Sequence, residues 1–421
     1  MDEKFTFNIL MYSHDTYGLG HIRRTMAIAE HLSSEDTNIL ILTGSPMAGR
    51  FRFPMGVDYV RIPGMIKRSN EDYFPLSIRI DPVQALEIRK SIVLATAQTF
   101  RPDLFIVDKE PLGLKREVLP TLEWINTDLK GCCTVLGLRD VMDDADTVRQ
   151  NWQGKGVYEN VERLYTEVWV YGDKALYDPV VEYAIPETIS SKLYFTGYIP
   201  RKVPPPFEVE DIQKQLALDP KERLVTVTTG GGGDGFWVLN AYLTMLEIMA
   251  ASSDPFPFKT VLITGPFLSD DENAVVHERA RALGILVYQF FIHMEQLFAA
   301  SDLVVCMGGY NTVCEILSLK IPSLVIPRED PRKEQLIRAM AMEKKGLLDY
   351  ISWAMVSPDL MREKILAMLS HSGCFRRAMA DFSLTGIDRI CSRISTFRNK
   401  KNGNKSKETD ALECPSPPEG A

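Results

Sequence analysis

Short apolar runs separated by longer amphipathic stretches organise this chain. Residues 8–12, 38–42, 58–62, 103–108, 132–138 and 167–171 each read as a buried strand. Between most of them the apolar period changes from that of a strand to that of a helix. Ile22, Met26, Ala29 and Leu32 fall on one face of a helix spanning about 21–33, and a second helix is predicted over 82–100. Strand–helix alternation of this kind predicts a parallel, doubly wound α/β sheet.

The alternation breaks at Gly197-Tyr198-Ile199-Pro200-Arg201 and Pro204-Pro205-Pro206, which carry turn chemistry and no period. It then restarts. Strands are predicted at 224–229, 260–264, 285–289, 302–306 and 322–326, with helices after Gly235, over 272–283 and over 311–319. The expected organisation is an N-terminal Rossmann-like domain (1–196), a linker (197–207) and a C-terminal Rossmann-like domain (208–374), facing each other across a cleft. A helical segment, 375–398, is expected to pack back on the first domain. From residue 399 the lysines 400, 401, 405 and 407 and the later Pro415-Ser416-Pro417-Pro418 read as a disordered tail.

The richest chemistry lies around residues 306–335. Cys306-Met307-Gly308-Gly309-Tyr310-Asn311-Thr312-Val313-Cys314-Glu315 follows one strand and opens a helix, and a charged loop, 328–335, follows the next strand. Ligands of open α/β sheets bind at the carboxyl ends of such strands. Glycines let backbone approach phosphate oxygens, and a helix opening near Asn311 offers unpaired N–H groups. Glu315, one turn inside, can accept hydrogen bonds from the two hydroxyls of a ribose. Thr312-x-x-Glu315 equally fits a capping box. Gln335 can read a sugar hydroxyl or a base edge.

Two more glycine-rich turns repeat the theme. Thr228-Thr229-Gly230-Gly231-Gly232-Gly233-Asp234-Gly235 follows the first strand of the second domain and can hold a diphosphate. Gly230 to Gly235 also satisfies G-x-G-x-x-G. The next strand ends Leu262-Ile263-Thr264-Gly265 without an acid, which disfavours NAD, and no P-loop sequence is present. In the first domain, Ser13-His14-Asp15-Thr16-Tyr17-Gly18-Leu19-Gly20-His21 places His21 at a helix N-terminus. The helix dipole disfavours the imidazolium there, so His21 is a candidate general base, with Asp15 available to orient the ring.

Composition narrows the class. The chain has 421 residues, 45% hydrophobic and 25% charged, which suits two soluble domains with real cores. A net charge of −8 argues against general nucleic-acid binding. Seven cysteines with no C-x-x-C pair indicate neither a disulfide framework nor a zinc site and fit a reducing cytoplasm. The charged start, Met1-Asp2-Glu3-Lys4, lacks a signal-peptide core, and no apolar run reaches membrane-span length. Phe51-Arg52-Phe53-Pro54-Met55 and Ile66-Lys67-Arg68 mix apolar and basic residues, a combination that suits peripheral membrane contact.

Taken together, Gly18-Leu19-Gly20-His21, the 230–235 turn, Gly308-Gly309-x-x-Thr312-x-x-Glu315 and Gln335 resemble the GT-B glycosyltransferases, and more narrowly family 28. Its best-known member moves N-acetylglucosamine from a UDP-sugar to a lipid-linked peptidoglycan precursor. Phe291-Ile292-x-Met294 and Ala300-Ser301-Asp302-Leu303 fit as well, and the likeness covers roughly 8–370. Gly-Leu-Gly-His-Ile-Arg-Arg and Val107-Asp108-Lys109-Glu110-Pro111 resemble one branch of predicted glycosyltransferases.

The resemblance implies that Glu315 holds the ribose and that Gln335 reads the donor sugar. Gly308, Gly309 and Thr312 would line the diphosphate with Gly231, Gly232 and Gly233, and Asn311 and Arg332 would lie on the same donor side. His21 would sit near the acceptor with Gly18 and Gly20. The loop before His21 departs from the Gly-Gly-Thr-Gly-Gly-His of the peptidoglycan enzyme, so that acceptor is not carried over. Glu110, Arg139 and Asp140 are further acceptor-side candidates; Leu138-Arg139-Asp140 and Asp143-Asp144 are foreign to that enzyme and fit either acceptor binding or helix capping.

The implied reaction is transfer of a hexose or N-acetylhexosamine from a nucleotide diphosphate sugar, UDP-linked, to a saccharide or lipid-linked hydroxyl, with inversion. No cofactor or metal is required by the motifs, since helix N-termini can meet the diphosphate charge. Nucleotide-sugar 2-epimerases, hydrolases and a non-catalytic nucleotide-sugar binder share the scaffold and are the alternatives.

Overall fold

A computed structural model describes residues 6–15, 20–50, 52–67, 72–231, 233–252 and 256–410, with backbone alone at 67 and 402–410. The N-terminal lobe is built on β1 (Phe7–Ser13), β2 (Thr37–Thr43), β3 (Val57–Arg61), β6 (Leu104–Asp108), β7 (Cys133–Arg139), β8 (Glu167–Tyr171) and β9 (Leu193–Phe195). A small antiparallel hairpin, β4 (Met65–Lys67) and β5 (Tyr73–Pro75), is inserted after β3. The C-terminal lobe carries β10 (Leu224–Thr228), β11 (Lys259–Ile263), β12 (Leu286–Tyr288), β13 (Leu303–Cys306), β14 (Ser323–Val325) and β15 (Asp349–Tyr350).

Both large sheets are parallel throughout, and they share one winding. Their orders are β3-β2-β1-β6-β7-β8-β9 and β12-β11-β10-β13-β14-β15. In each lobe the chain winds outward one way from its first strand and then returns to wind the other way. The reversal opens a crevice between β1 and β6 and another between β10 and β13, where connections leave on opposite faces. These sheets are covered on both faces, and β6, β8 and β10 are buried at every position with no alternating solvent face.

The lobes are joined at two adjacent crossings. Gly197 has φ +90°, and a Cβ there would fall 2.4 Å from Thr385 Oγ1. The return crossing lies against it: Gly386 N–H donates to Tyr198 O at 3.1 Å and Thr385 Oγ1 donates to Thr196 O at 3.0 Å. One apolar cluster runs through this region, from Ile22 and Met26 through Tyr198 and Ile199 to Tyr310 and Val313.

The C-terminal segment is two helices, Ser372–Asp381 and Gly386–Asp410, rather than one over 375–398. The break at 382–385 is the crossing itself. The final helix lies on the N-terminal lobe, where Arg393 pairs with Glu167 and the Phe397 ring stacks on Trp169 at 6.4 Å. Its backbone is helical through 410, so residues 399–410, expected to belong to a disordered tail, continue this helix. Lys401, which composition assigned to that tail, pairs with Asp103. Residues 411–421 lie outside the described residues.

Candidate active site in the interlobe cleft

Four chain segments meet where the two reversals face each other. They follow β1, β6, β10 and β13. The C-terminal lobe supplies a cavity of about 340 Å³ lined by Thr228, Gly230, Gly231, Gly309, Thr312 and Gln335, among others. A second cavity of about 230 Å³ shares Thr228, Gly230, Gly231, Gly309 and Thr312 and adds Gly20, His21, Arg23, Arg24 and Arg139 from the other lobe. The two form one continuous groove from the glycine turns to His21.

The floor of the groove is backbone. Gly230 adopts φ +69° and packs on Gly265, where a Cβ would lie 2.6 Å from Gly230 O. Thr229 Oγ1 donates to Thr264 O at 3.0 Å and secures the turn. Gly308 adopts φ +71°, and Gly309 caps the Tyr310–Leu319 helix with no side-chain hydrogen bond to its first N–H groups. Those donors face the groove with the helix dipole behind them, the arrangement that holds an anion. Because the cap is Gly309, Thr312 is not a cap and Thr312-x-x-Glu315 is no capping box. Glu315 instead lines the groove and pairs with Arg23 of the opposite lobe.

His21 is the second residue of the Gly20–Leu32 helix. Its Nδ1 lies 2.5 Å from Asp108 Oδ2, at the end of β6. Burial alone would raise the Asp108 carboxyl, but Arg24 and His21 hold it well below the usual carboxylate range. An ionised carboxylate only accepts, so Nδ1 carries the ring proton and Nε2 is left as the basic nitrogen. Burial pushes the His21 imidazolium down to about 4, against the pull of Asp108. Near neutral pH the ring is an uncharged acceptor. Arg24, itself buried, donates to Asp108 from Nε at 3.1 Å and packs against the Tyr171 and Tyr310 rings.

Several candidates have other positions than the sequence suggested. Asp15 does not orient His21; it is buried, accepts from Thr43, and burial lifts its carboxyl to about 6. Asp140 is committed to a buried ion pair rather than turned to the groove. It is 2% exposed and accepts from Arg338 Nε at 2.6 Å and Nη2 at 2.7 Å, with Tyr198 Oη at 2.7 Å. Arg338 also donates to Gly308 O at 3.0 Å, so this pair ties β7 of one lobe to the glycine turn of the other. Arg332 lines neither cavity; its charge acts on Lys109 and Glu110 across the cleft. Asp143 accepts from Lys333 N–H at 2.8 Å, and Asp144 caps the Ala145–Gly154 helix.

The remaining candidates lie at the groove or beside it. Arg139 lines it next to His21, with its buried Nε unpartnered. Glu110 sits 3.5 Å from Lys109, and burial lowers that ammonium to about 8 despite Glu110. Gln335 Oε1 accepts from Arg328 N–H at 2.8 Å. Asn311 spans the lobes, donating to Gly20 O at 2.8 Å and accepting from Arg201 at 2.6 Å. Gly233 lines the larger cavity, while Gly18 and Gly232 lie outside the described residues. Arg338 was not singled out from sequence as a site residue; no local spacing marks it, because its partner Asp140 lies 198 residues away.

Two facing parallel lobes with a groove between their reversals define the GT-B architecture. In comparison with known proteins, residues 225–390 match the glycosyltransferase family 28 C-terminal domain. The UDP-N-acetylglucosamine–N-acetylmuramyl-(pentapeptide) pyrophosphoryl-undecaprenol N-acetylglucosamine transferase of Acetivibrio thermocellus is 27% identical over 205 residues, 48% of this chain and 54% of that protein. The chain thus spans about half the length of such curated relatives. MurG of Acinetobacter baumannii shares the fold with a TM-score of 0.58 at 12% identity, over 93% of this chain and 99% of the other. UGT2 of Phytolacca americana, solved with UDP-2fluoro-glucose and pterostilbene, gives 0.60 at 13% identity, over 93% and 100%. The chain has the GT-B fold, and its C-terminal lobe is similar to the family 28 C-terminal domain.

Proposed function

We propose that the protein transfers a hexose or N-acetylhexosamine from a UDP-sugar to a hydroxyl of a saccharide or lipid-linked acceptor, with inversion. The observation that carries this reading is the groove itself, which runs from the glycine turns at 230 and 309 to a neutral histidine on the opposite lobe. The curated relatives named for an N-acetylglucosamine transferase, and a fold neighbour solved with a UDP-sugar analogue, support the substrate class.

In this reading the diphosphate lies on the Gly230–Gly231 turn and the uncapped start of the Tyr310–Leu319 helix. Glu315 takes the ribose hydroxyls and Gln335 a hydroxyl of the sugar. The acceptor hydroxyl approaches the anomeric carbon from the N-terminal lobe and gives its proton to His21 Nε2. Asp108 fixes the ring and stabilises the imidazolium that forms. As the glycosidic C–O bond breaks, charge grows on the leaving diphosphate. The helix N-terminal N–H groups are already oriented to meet that charge, so no divalent ion is called for.

The decisive experiment incubates the full chain with UDP-glucose and UDP-N-acetylglucosamine, with and without saccharide and lipid-linked acceptors, and follows UDP and sugar products. Acceptor-dependent UDP release supports transfer. Acceptor-independent release of free sugar makes the protein a hydrolase, and sugar interconversion makes it an epimerase. An epimerase generally wants several carboxylates on the groove, and Asp15 and Asp140 are committed elsewhere.

The same reading places the protein in the cytoplasm with peripheral membrane contact. Among the described residues no helix is long and apolar enough to cross a membrane. The N-terminal lobe exposes Met55 at 94% and Val83 at 66%, with Arg52 and Arg79 also exposed. Co-sedimentation with anionic liposomes tests this contact, and its absence would remove the membrane part alone.

A further inference from the structure

Glu315 is covered by a residue from the wrong side of the cleft. Its side chain is 5% exposed, and Arg23 Nη2 pairs with Oε1 across the lobes. A carboxylate that grips a ribose must offer its oxygens to two hydroxyls. With Arg23 in place, one oxygen is already taken.

Arg23 and Arg24 are adjacent on one helix, yet they are held very differently. Arg24 is 2% exposed, bonded twice to Asp108 and packed on two tyrosine rings. Arg23 has a side chain 34% exposed, and Glu315 is its single hydrogen-bond partner among the described residues. One guanidinium is fixed and the other is releasable. Once released, Arg23 remains on the groove wall that includes Gly230, Gly231, Gly309 and Thr312. A guanidinium matches two phosphate oxygens at once.

Resting on the reading of Glu315 as the ribose carboxylate, we propose that Arg23 is a donor-displaced latch. It holds Glu315 across the lobes until the ribose takes its place, and it then transfers to the donor diphosphate. Donor entry would therefore exchange one interlobe contact for another, carrying an additional positive charge from the N-terminal lobe to the leaving group. The latch acts in donor binding and operates whatever the acceptor is.

The two halves of the exchange separate with two probes. Uridine competes for Glu315 and has no phosphate; UDP has both parts. Calorimetric titration of the full chain with each is expected to show R23Q binding uridine several-fold more tightly, because the competitor is gone. The same variant should lower the ratio of UDP to uridine affinity about tenfold, because one charge-assisted phosphate contact is lost. R23K should recover part of that ratio. Unchanged uridine affinity in R23Q, or an unchanged ratio, overturns the latch. E315Q tests the reading beneath it. If E315Q leaves uridine binding untouched, the ribose assignment fails and the latch with it. If E315Q weakens uridine while R23Q behaves as the wild type, the latch alone fails.

Discussion

His21 Nδ1 and Asp108 Oδ2 lie 2.5 Å apart although 87 residues separate them in the chain. The sheet order makes this contact. β1 and β6 are hydrogen-bonded neighbours at the reversal of the N-terminal sheet, so the helix after β1 and the acid at the end of β6 face the same crevice. The carboxylate fixes which nitrogen carries the proton, and that leaves Nε2 chemically competent as a base. Replacing His21 by Ala is expected to lower kcat by about 10²–10⁴-fold, the usual contribution of a positioned base. Donor affinity, measured by titration with UDP, should change little, since the proposed donor contacts (the glycine turns, Glu315 and Arg23) do not include His21. A full loss of UDP binding with His21→Ala would place the histidine in the donor site instead.

The same pair sets the pH dependence. Burial depresses the His21 pKa to about 4, below its ordinary 6.5. The ring accepts a proton from the acceptor only while it is itself deprotonated, so the acid limb of kcat/KM attributable to His21 belongs near pH 4 rather than near 6.5. The stability sign follows from linkage: the unfolded chain binds protons at these histidines before the folded one does. Stability therefore falls as pH drops below about 6.5, and His14, which burial lowers to about 3, acts in the same direction. NMR titration of the His21 ring checks the assignment, and a midpoint near 6.5 would show the ring open to water.

The alternation of buried strands and amphipathic helices made the two parallel sheets legible, because runs such as Glu167–Tyr171 have no solvent face and admit few other readings. Two very short edge strands were not legible. Leu193–Phe195 and Asp349–Tyr350 gain their pairing from neighbours rather than from any period of their own. At the site, the glycine turns and Glu315 showed themselves through local spacing. The partners did not. Asp15 stands six residues from His21 and was the natural guess for its orienting acid, yet the turn carries it to Thr43 while Asp108 arrives from the adjacent strand. Arg23–Glu315 and Asp140–Arg338 span 292 and 198 residues and exist only once the lobes dock.

Asp140 and Arg338 form a pair whose side chains are each 1% exposed, and it is shared by both lobes and the connector. Removing one member leaves a buried charge without its counterion. Asp140→Asn is expected to destabilise the protein by about 3–5 kcal/mol, whereas a paired apolar replacement of both residues should recover part of the loss. The midpoint of urea unfolding of the full chain, followed by tryptophan fluorescence, measures both. A shift under about 1 kcal/mol for Asp140→Asn would mean that water reaches the pair.

Gly308 and Gly309 are adjacent and should fail in different ways. At Gly308 the backbone has φ +71° and a Cβ would meet Val325 Cγ1 at 2.7 Å. Alanine there forces a left-handed residue against a buried strand, a penalty of about 1–2 kcal/mol from conformation alone before the clash is relieved. At Gly309 the backbone is extended, with φ −60° and ψ 147°, and an added Cβ finds nothing within 4 Å. That open space is the groove. Gly309→Ala should therefore keep the wild-type melting temperature and lose affinity for UDP, because the methyl group occupies the space into which the diphosphate must settle. Gly308→Ala should lower the melting temperature first. If Gly309→Ala binds UDP as well as the wild type does, the diphosphate does not rest on this turn.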